Sequence, residues 1–185
     1  TCPKLIAPAM NVNMYDNLAT QRNIERCKTY GIKFVDPGYG MLACGDTGRG
    51  KLADLNQIMA MIDYCLCDKP LKNKRVLITA GPTQEALDPV RYISNHSSGK
   101  MGYALAKRAF ELGAKVTLIN GPTNLDFPYG IKVIQIKSAS EMFEAVKIRY
   151  QKQDYIIKAA AVGDYRVKEI AQDKIKKQHD ILKLE

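Results

Sequence analysis

Apolar and polar positions follow two different rhythms along the chain. Toward the N-terminus the apolar runs are short. Leu5-Ile6-Ala7 predicts the end of a buried strand and Lys33-Phe34-Val35 a second short one. Between them Asp16 predicts the cap of a helix reaching about Tyr30, closed by Gly31. Residues 37–52 hold five Gly and one Pro, which predicts a loop. Asp54 predicts the cap of a helix over Leu55–Cys67, with Leu55, Ile58, Met59 and Ile62 on one face.

The second rhythm is regular. Arg75–Ala80 is an apolar strand ending in Gly81-Pro82-Thr83, followed by a loop and a helix from about Gly99 to Leu112, closed by Gly113. Lys115–Ile119 and Ile131–Ile136 predict two more strands, the first ending in Asn120-Gly121-Pro122. Ser138-Ala139-Ser140-Glu141 fits a capping box for a helix to about Tyr150. Tyr155–Ala161 predicts a fourth strand, ending in Gly163-Asp164. Strands alternating with helices predict an α/β fold, a parallel sheet with crossover helices. Such sheets bind ligands beyond the carboxyl ends of their strands. Gly81, Gly121 and Asp164 all fall there.

Composition sharpens this picture. The chain has 185 residues, 46% hydrophobic and 25% charged, which is globular composition and argues against disorder. No apolar run is long enough to span a membrane. The net charge is +9, but residues 1–71 hold 8 basic and 7 acidic side chains while 72–185 hold 20 and 12. The break coincides with the polar stretch Asp68–Lys74 and its Pro70, which predicts a linker between two units. Thr1-Cys2-Pro3-Lys4 carries no Met and no signal-peptide pattern, and reads as the middle of a longer chain. Five Cys without such a signal predict free thiols in a reducing, cytoplasmic setting. Tyr residues are scattered rather than interleaved with the basic ones, which disfavours nucleic acid as the partner of the charge.

Candidate chemistry clusters at a few places. Ser94-Asn95-His96-Ser97-Ser98-Gly99-Lys100-Met101-Gly102 departs from a phosphate loop at Ser94, where Gly is required, and at Met101, where Ser or Thr binds magnesium. Hydroxyls, a Gly and a Lys at a helix start still suit an anion. They equally suit a Ser cap beside a surface Lys, and the residues alone leave both readings open. Gly38-Tyr39-Gly40-Met41-Leu42-Ala43 fits a dinucleotide fingerprint only loosely, after Pro37 and with no helix starting in it. That missing fingerprint also disfavours a dehydrogenase domain. Cys65-Leu66-Cys67 is too tightly spaced for a zinc pair, so packing or surface thiols are the default there. Cys44 sits in the Gly-rich Ala43–Gly50 stretch, and a thiol in such a polar loop is placed for chemistry rather than packing. Lys174-Ile175-Lys176-Lys177 reads either as a solvated face or as a clamp on a polyphosphate.

Several segments together resemble one family. Pro8-Ala9-Met10-Asn11-Val12-Asn13-Met14-Tyr15 is similar to the P-x-M-N-x-x-M-W motif of phosphopantothenoylcysteine decarboxylases, with Tyr15 in place of Trp. Ala43-Cys44-Gly45-Asp46 is similar to their substrate-clamp motif. Thr79–Thr83, Asp88–Gly102, Ala159–Tyr165 and Lys174–Lys177 resemble segments of phosphopantothenate–cysteine ligases, with Gly163 in place of Ala. The chain thus resembles the bifunctional decarboxylase/ligase flavoproteins of coenzyme A biosynthesis. The resemblance divides it into residues 1–71, the C-terminal part of a flavodoxin-like decarboxylase domain, and 72–185, the N-terminal, CTP-binding part of a Rossmann-like ligase domain. It also implies an internal fragment, incomplete for both reactions, with the family's flavin phosphate loop and catalytic His absent before Thr1.

The resemblance implies roles residue by residue. In the ligase half, phosphopantothenate attacks CTP to give an acyl-cytidylate, and cysteine then displaces CMP. Ser97, Ser98, Gly99 and Lys100 would form the anion nest, and Gly81, at its strand end, would join the nucleotide-binding residues. Asp164 would sit near Mg²⁺ and the triphosphate, while Lys174, Lys176 and Lys177 would reach over the phosphates. Asn95 would hold the acyl-cytidylate, and Ala160 and Ala161 would let backbone approach the cytosine. In the FMN-dependent half, Asn11 would grip the substrate carboxylate, Cys44 would supply a proton, and Met10 and Met14 would border flavin and substrate, though both Met also suit core packing. The family implies a homo-oligomer and small-molecule substrates. The competing expectation is a non-catalytic nucleotide-binding or assembly module.

Overall fold

A computed structural model describes residues 2–176. The chain divides into two compact units between Asp68 and Lys69, three residues before the boundary expected at 71/72. Leu71 explains the difference. Its N–H donates to the Leu112 carbonyl at 3.0 Å and its side chain packs on the core of the second unit.

The first unit pairs β1 (Leu5–Ile6) in parallel with β2 (Lys33–Phe34). Between them lie a short helix, α1 (Val12–Asp16), and α2 (Leu18–Thr29). Asp16 does not cap the long helix. It ends α1, and the cap is Asn17, whose backbone is extended and whose side chain accepts from the Ala19 N–H at 2.9 Å. The expected loop over 37–52 is instead an antiparallel hairpin, β3 (Gly38–Met41) and β4 (Thr47–Lys51). Its glycines hid it, because Gly weakens strand propensity. They serve close packing: a Cβ on Gly50 would run into the Met10 carbonyl, and the Met10 N–H donates to the Gly50 carbonyl at 2.9 Å. The helix α3 (Leu55–Leu66) follows its Asp54 cap and buries none of its residues; Leu55 and Met59 are exposed.

The second unit carries a four-stranded parallel sheet. In chain order its strands are β5 (Arg75–Ala80), β8 (Lys115–Asn120), β9 (Lys132–Gln135) and β10 (Tyr155–Lys158). The spatial order is β10-β5-β8-β9, so the switch point lies between β5 and β10. The segment after β5, expected to be a loop, holds a small antiparallel hairpin, β6 (Gln84–Ala86) with β7 (Tyr92–Ser94). The helix α4 (Lys100–Glu111) covers one face and α5 (Ala139–Lys147) the other; α5 stops short of Tyr150, which starts a separate 3₁₀ turn. The β8–β9 connection carries no helix.

Strand periodicity assigns each residue to a helix. Val76, Ile78, Ala80, Val116 and Leu118 pack with Tyr103, Ala106 and Ala109 of α4. Leu77 and Ile119 point the other way, onto Met142 and Ala145 of α5. A sheet buried on both faces reads as continuous apolar strands, which is why the sequence pattern was plain here. Leu118 is fully buried. Leu118→Ala should therefore cost about 2–5 kcal/mol, read as a lower denaturation midpoint.

Candidate functional site

The second unit's site grows from the carboxyl end of β5. Gly99, before α4, has φ +74° in the left-handed region, and a Cβ there would meet the Thr123 methyl at 2.8 Å and Gly81 backbone at 3.3 Å. Gly102 has no room for a Cβ because Ala80 lies against it. Together these glycines let the head of α4 rest directly on the strand end. No side chain caps α4. Ser97 and Ser98 hydroxyls accept from the Gly99 and Lys100 N–H groups only at 3.4 and 3.5 Å. The first-turn donors are thus weakly engaged at a positive helix end, with Lys100 exposed beside them. A cavity of about 480 Å³ opens alongside, lined among others by Pro82, Tyr92, Asn95, His96, Ser97 and Ser98.

The strand end is stitched to the segment after β10. The Ala161 N–H donates to the Gly81 carbonyl at 2.9 Å, and the Thr83 N–H to the Ala161 carbonyl at 3.1 Å. Asn95 Nδ2 donates to the Ala161 and Val162 carbonyls, both at 3.2 Å. Thr83, fully buried, accepts the Gly163 N–H through Oγ1 at 2.8 Å, which fixes the approach to exposed Asp164. Gly81, Asn95, Ser97–Lys100, Ala160 and Ala161 are therefore brought together. The Ala160 and Ala161 N–H groups are already committed, to Thr79 Oγ1 at 3.4 Å and to Gly81. Ala160 instead lines a mostly apolar cleft of about 300 Å³ with Thr79, Met142, Phe143, Lys158 and Val162.

Lys174 and Lys176 are exposed on a segment tied to the β6–β7 loop, with no bond to the nest; Lys177 lies outside the described residues. The tie is Asp88, which sequence reasoning noted only inside a motif. Its side chain is fully buried and pairs with Arg91. That guanidinium holds the carboxyl well below the usual carboxylate range; burial pushes the other way, and the Val90, Ile175 and Arg91 N–H groups add to the lowering. A depressed folded-state value contributes stability at every pH above the unfolded value of about 3.9 and loses it only as pH falls toward the folded one.

In the first unit Asn11 and Cys44 meet. Asn11 Nδ2 lies 3.0 Å from Cys44 Sγ and 3.1 Å from Asp46 Oδ2, while its Oδ1 caps α1 by accepting from the Asn13 N–H at 2.8 Å. Cys44 Sγ lies 3.5 Å from Asp46 Oδ2. Asp46 is thus a third member, which the sequence shows only inside the clamp motif, with no role of its own. Met14 is 60% exposed and Met10 half-buried, so neither is a core residue. Among the described residues no cluster of three or more His, Cys, Asp or Glu side chains is placed to hold a metal.

A parallel α/β sheet with an uncapped, glycine-seated helix end at its switch point forms the second unit. Here it follows a small unit carrying an Asn–Cys–Asp cluster. The chain belongs to the DNA/pantothenate metabolism flavoprotein family, whose C-terminal-domain model matches residues 71–185; residues 1–66 match the Flavoprotein family. It is 49% identical over 178 residues to the coenzyme A biosynthesis bifunctional protein CoaBC of Vibrio vulnificus, covering 96% of this chain and 44% of that protein. Against the CoaBC protein of Bacillus subtilis the identity is 47%, covering 100% and 47%. The chain thus spans under half the length of these relatives. Among solved structures, a C-terminal domain of CoaBC matches with 55% identity and a TM-score of 0.52, covering 54% of this chain and 50% of that one. Among the described residues no helix is long and apolar enough to cross a membrane.

Thr83→Val tests the stitch. It keeps the shape but leaves the Gly163 N–H without its acceptor, so stability should fall by about 1–3 kcal/mol and that amide should exchange faster with deuterium.

Proposed function

We propose that the second unit is the CTP-binding front of a phosphopantothenate–cysteine ligase, and the first unit the substrate-side tail of an FMN-dependent phosphopantothenoylcysteine decarboxylase, working in the cytoplasm as parts of a homo-oligomer. The observation that carries the reading is the uncapped helix end at Gly99, seated on Gly81 and joined through Asn95 to Ala161. Family membership and the identity to CoaBC proteins support it.

Ligation begins with a carboxylate attacking a phosphate, an anion approaching an anion. Fixed donors and cations must offset that repulsion. Ser97, Ser98, Gly99 and Lys100 would receive phosphate oxygens. Asp164 would share Mg²⁺ with them, and Lys174 and Lys176, with Lys177, would add charge from the other side. The apolar cleft beside Ala160 would take the cytosine. Asn95 donates both amide hydrogens to backbone, so its free role toward an acyl-cytidylate would rest on Oδ1, or on releasing one carbonyl.

In the decarboxylase half, bound FMN would supply two-electron chemistry at the cysteinyl group. The residues present here fit the substrate side of such a site: Asn11 offers amide donors, Cys44 a thiol proton, and Met10 and Met14 accessible apolar surface. In the present arrangement Asp46 occupies the Asn11 amide, so an incoming substrate carboxylate would displace it.

Calorimetry with CTP and Mg²⁺ tests the ligase reading. Saturable heat at millimolar nucleotide is expected, weakened about tenfold or more by Gly99→Ala, because a Cβ there displaces the donors; tenfold corresponds to about 1.4 kcal/mol. A folded protein that takes up no CTP would overturn the reading.

A further inference from the structure

The buried carboxylate of Asp88 divides its work between two oxygens. Oδ1 accepts the Val90 and Arg91 N–H groups, both at 2.8 Å, and so closes the turn between β6 and β7. Oδ2 accepts Arg91 Nε at 2.9 Å, a second bond from Arg91 Nη2, and the Ile175 N–H at 3.1 Å. Arg91 Nη2 also donates to the Ile175 carbonyl at 2.8 Å. Ile175 is therefore held by both its backbone groups, by a residue pair 84 to 87 positions earlier. Four residues before it, the Ala171 N–H donates to the Leu87 carbonyl at 3.1 Å. The two exposed cations of this strap, Lys174 and Lys176, flank the pinned residue.

A lysine on a mobile segment loses backbone freedom as well as rotamer freedom when it meets a phosphate. Fixing the backbone on both sides removes part of that loss beforehand, which is preorganisation of a charge. The turn that does the fixing runs straight into β7 and then into Asn95 and the nest. One rigid loop thus sets both the donors of the nest and the footing of the strap.

We infer that Asp88, with Arg91, is a positioning residue that holds the Lys174–Lys176 strap by the backbone of Ile175 and so presets the strap's cations for an anionic ligand. The functional half of this inference rests on the CTP reading; the anchoring half does not.

Asp88→Asn separates the two oxygens. The Asn carbonyl can still close the turn, while its amide meets the Arg91 and Ile175 donors head-on. The substitution also lowers the unfolding midpoint, so digestion is run well below both midpoints. There trypsin should cut after Lys174 and Lys176 about tenfold faster than in the unsubstituted chain, with cutting after Lys147 unchanged. Equal cutting rates at the strap would overturn the inference. Arg91→Lys, which keeps the charge but loses the fork to the Ile175 carbonyl, gives the same readout should Asp88→Asn fail to fold. CTP calorimetry completes the test. Asp88→Asn should weaken binding, and should weaken it no further in a background with both Lys174→Ala and Lys176→Ala. Independent losses from Asp88→Asn and from the lysine pair would overturn the positioning role even with the strap freed. A chain that takes up no CTP but shows the protease difference retains the anchor and loses only the ligase reading.

Discussion

No side chain fits between the end of β5 and the first turn of α4. Gly81, Gly99 and Gly102 are the residues that meet there, and a Cβ on any of them would strike Thr123, backbone or Ala80. This contact brings the donors at the head of α4 against the switch point of the sheet. It also explains the missing cap. A capping side chain at Gly99 would satisfy the donors that an anion needs, and the left-handed backbone admits none cheaply. Thr123, whose hydroxyl accepts from Asn120 Nδ2 at 3.3 Å and lies 3.2 Å from the Tyr103 hydroxyl, braces the contact from behind.

The stitch to the segment after β10 follows from the same geometry. Once β5 ends in Gly81, its next residues run beside Ala161, and Pro82 and Ala161 form a parallel bridge beyond the regular strands. Thr79 and Thr83, both buried, turn their hydroxyls to the N–H groups of Ala160 and Gly163. Buried hydroxyls of this kind are costly unless paired, so each fixes the other segment as firmly as it is fixed. The result is a floor in which β5 and the segment after β10 are held to each other by paired backbone and side-chain groups.

The sequence made the sheet legible because both faces of β5 and β8 are buried, giving apolar runs that only a doubly covered strand explains. Turn chemistry was harder. Asp16 and Asn17 are adjacent and both good caps, and only the backbone decides that Asn17 takes the role. The two hairpins were hidden, one by glycines that serve packing on Met10, the other by a Pro and a short span. The motif residues of the nest were visible because they lie within a few positions of one another. The bonding roles of Thr83 and Asp88, seen only as members of motifs, were not, since their partners, Gly163 and Ile175, come 80 and 87 residues later and touch them through backbone atoms, which leave no mark on residue type.

Charge placement in the second unit now has a physical form. An anion joined to an anion needs donors that cost no reorganisation and cations that do not block entry. Backbone N–H groups at a helix end meet the first need, being fixed by the fold before any ligand arrives. Lysines set permanently on that floor would meet the second poorly, since they would close the cavity mouth or pair with nearby carboxylates. The segment anchored at Ile175 and Ala171 leaves Lys174 and Lys176 exposed, an arrangement that would satisfy both needs if the segment meets such an anion. An anchor serving that purpose would have to be insensitive to the anion's charge. A carboxylate already neutralised by its own arginine and buried from solvent meets that condition, where an exposed lysine–glutamate pair would compete with phosphate for the same cation.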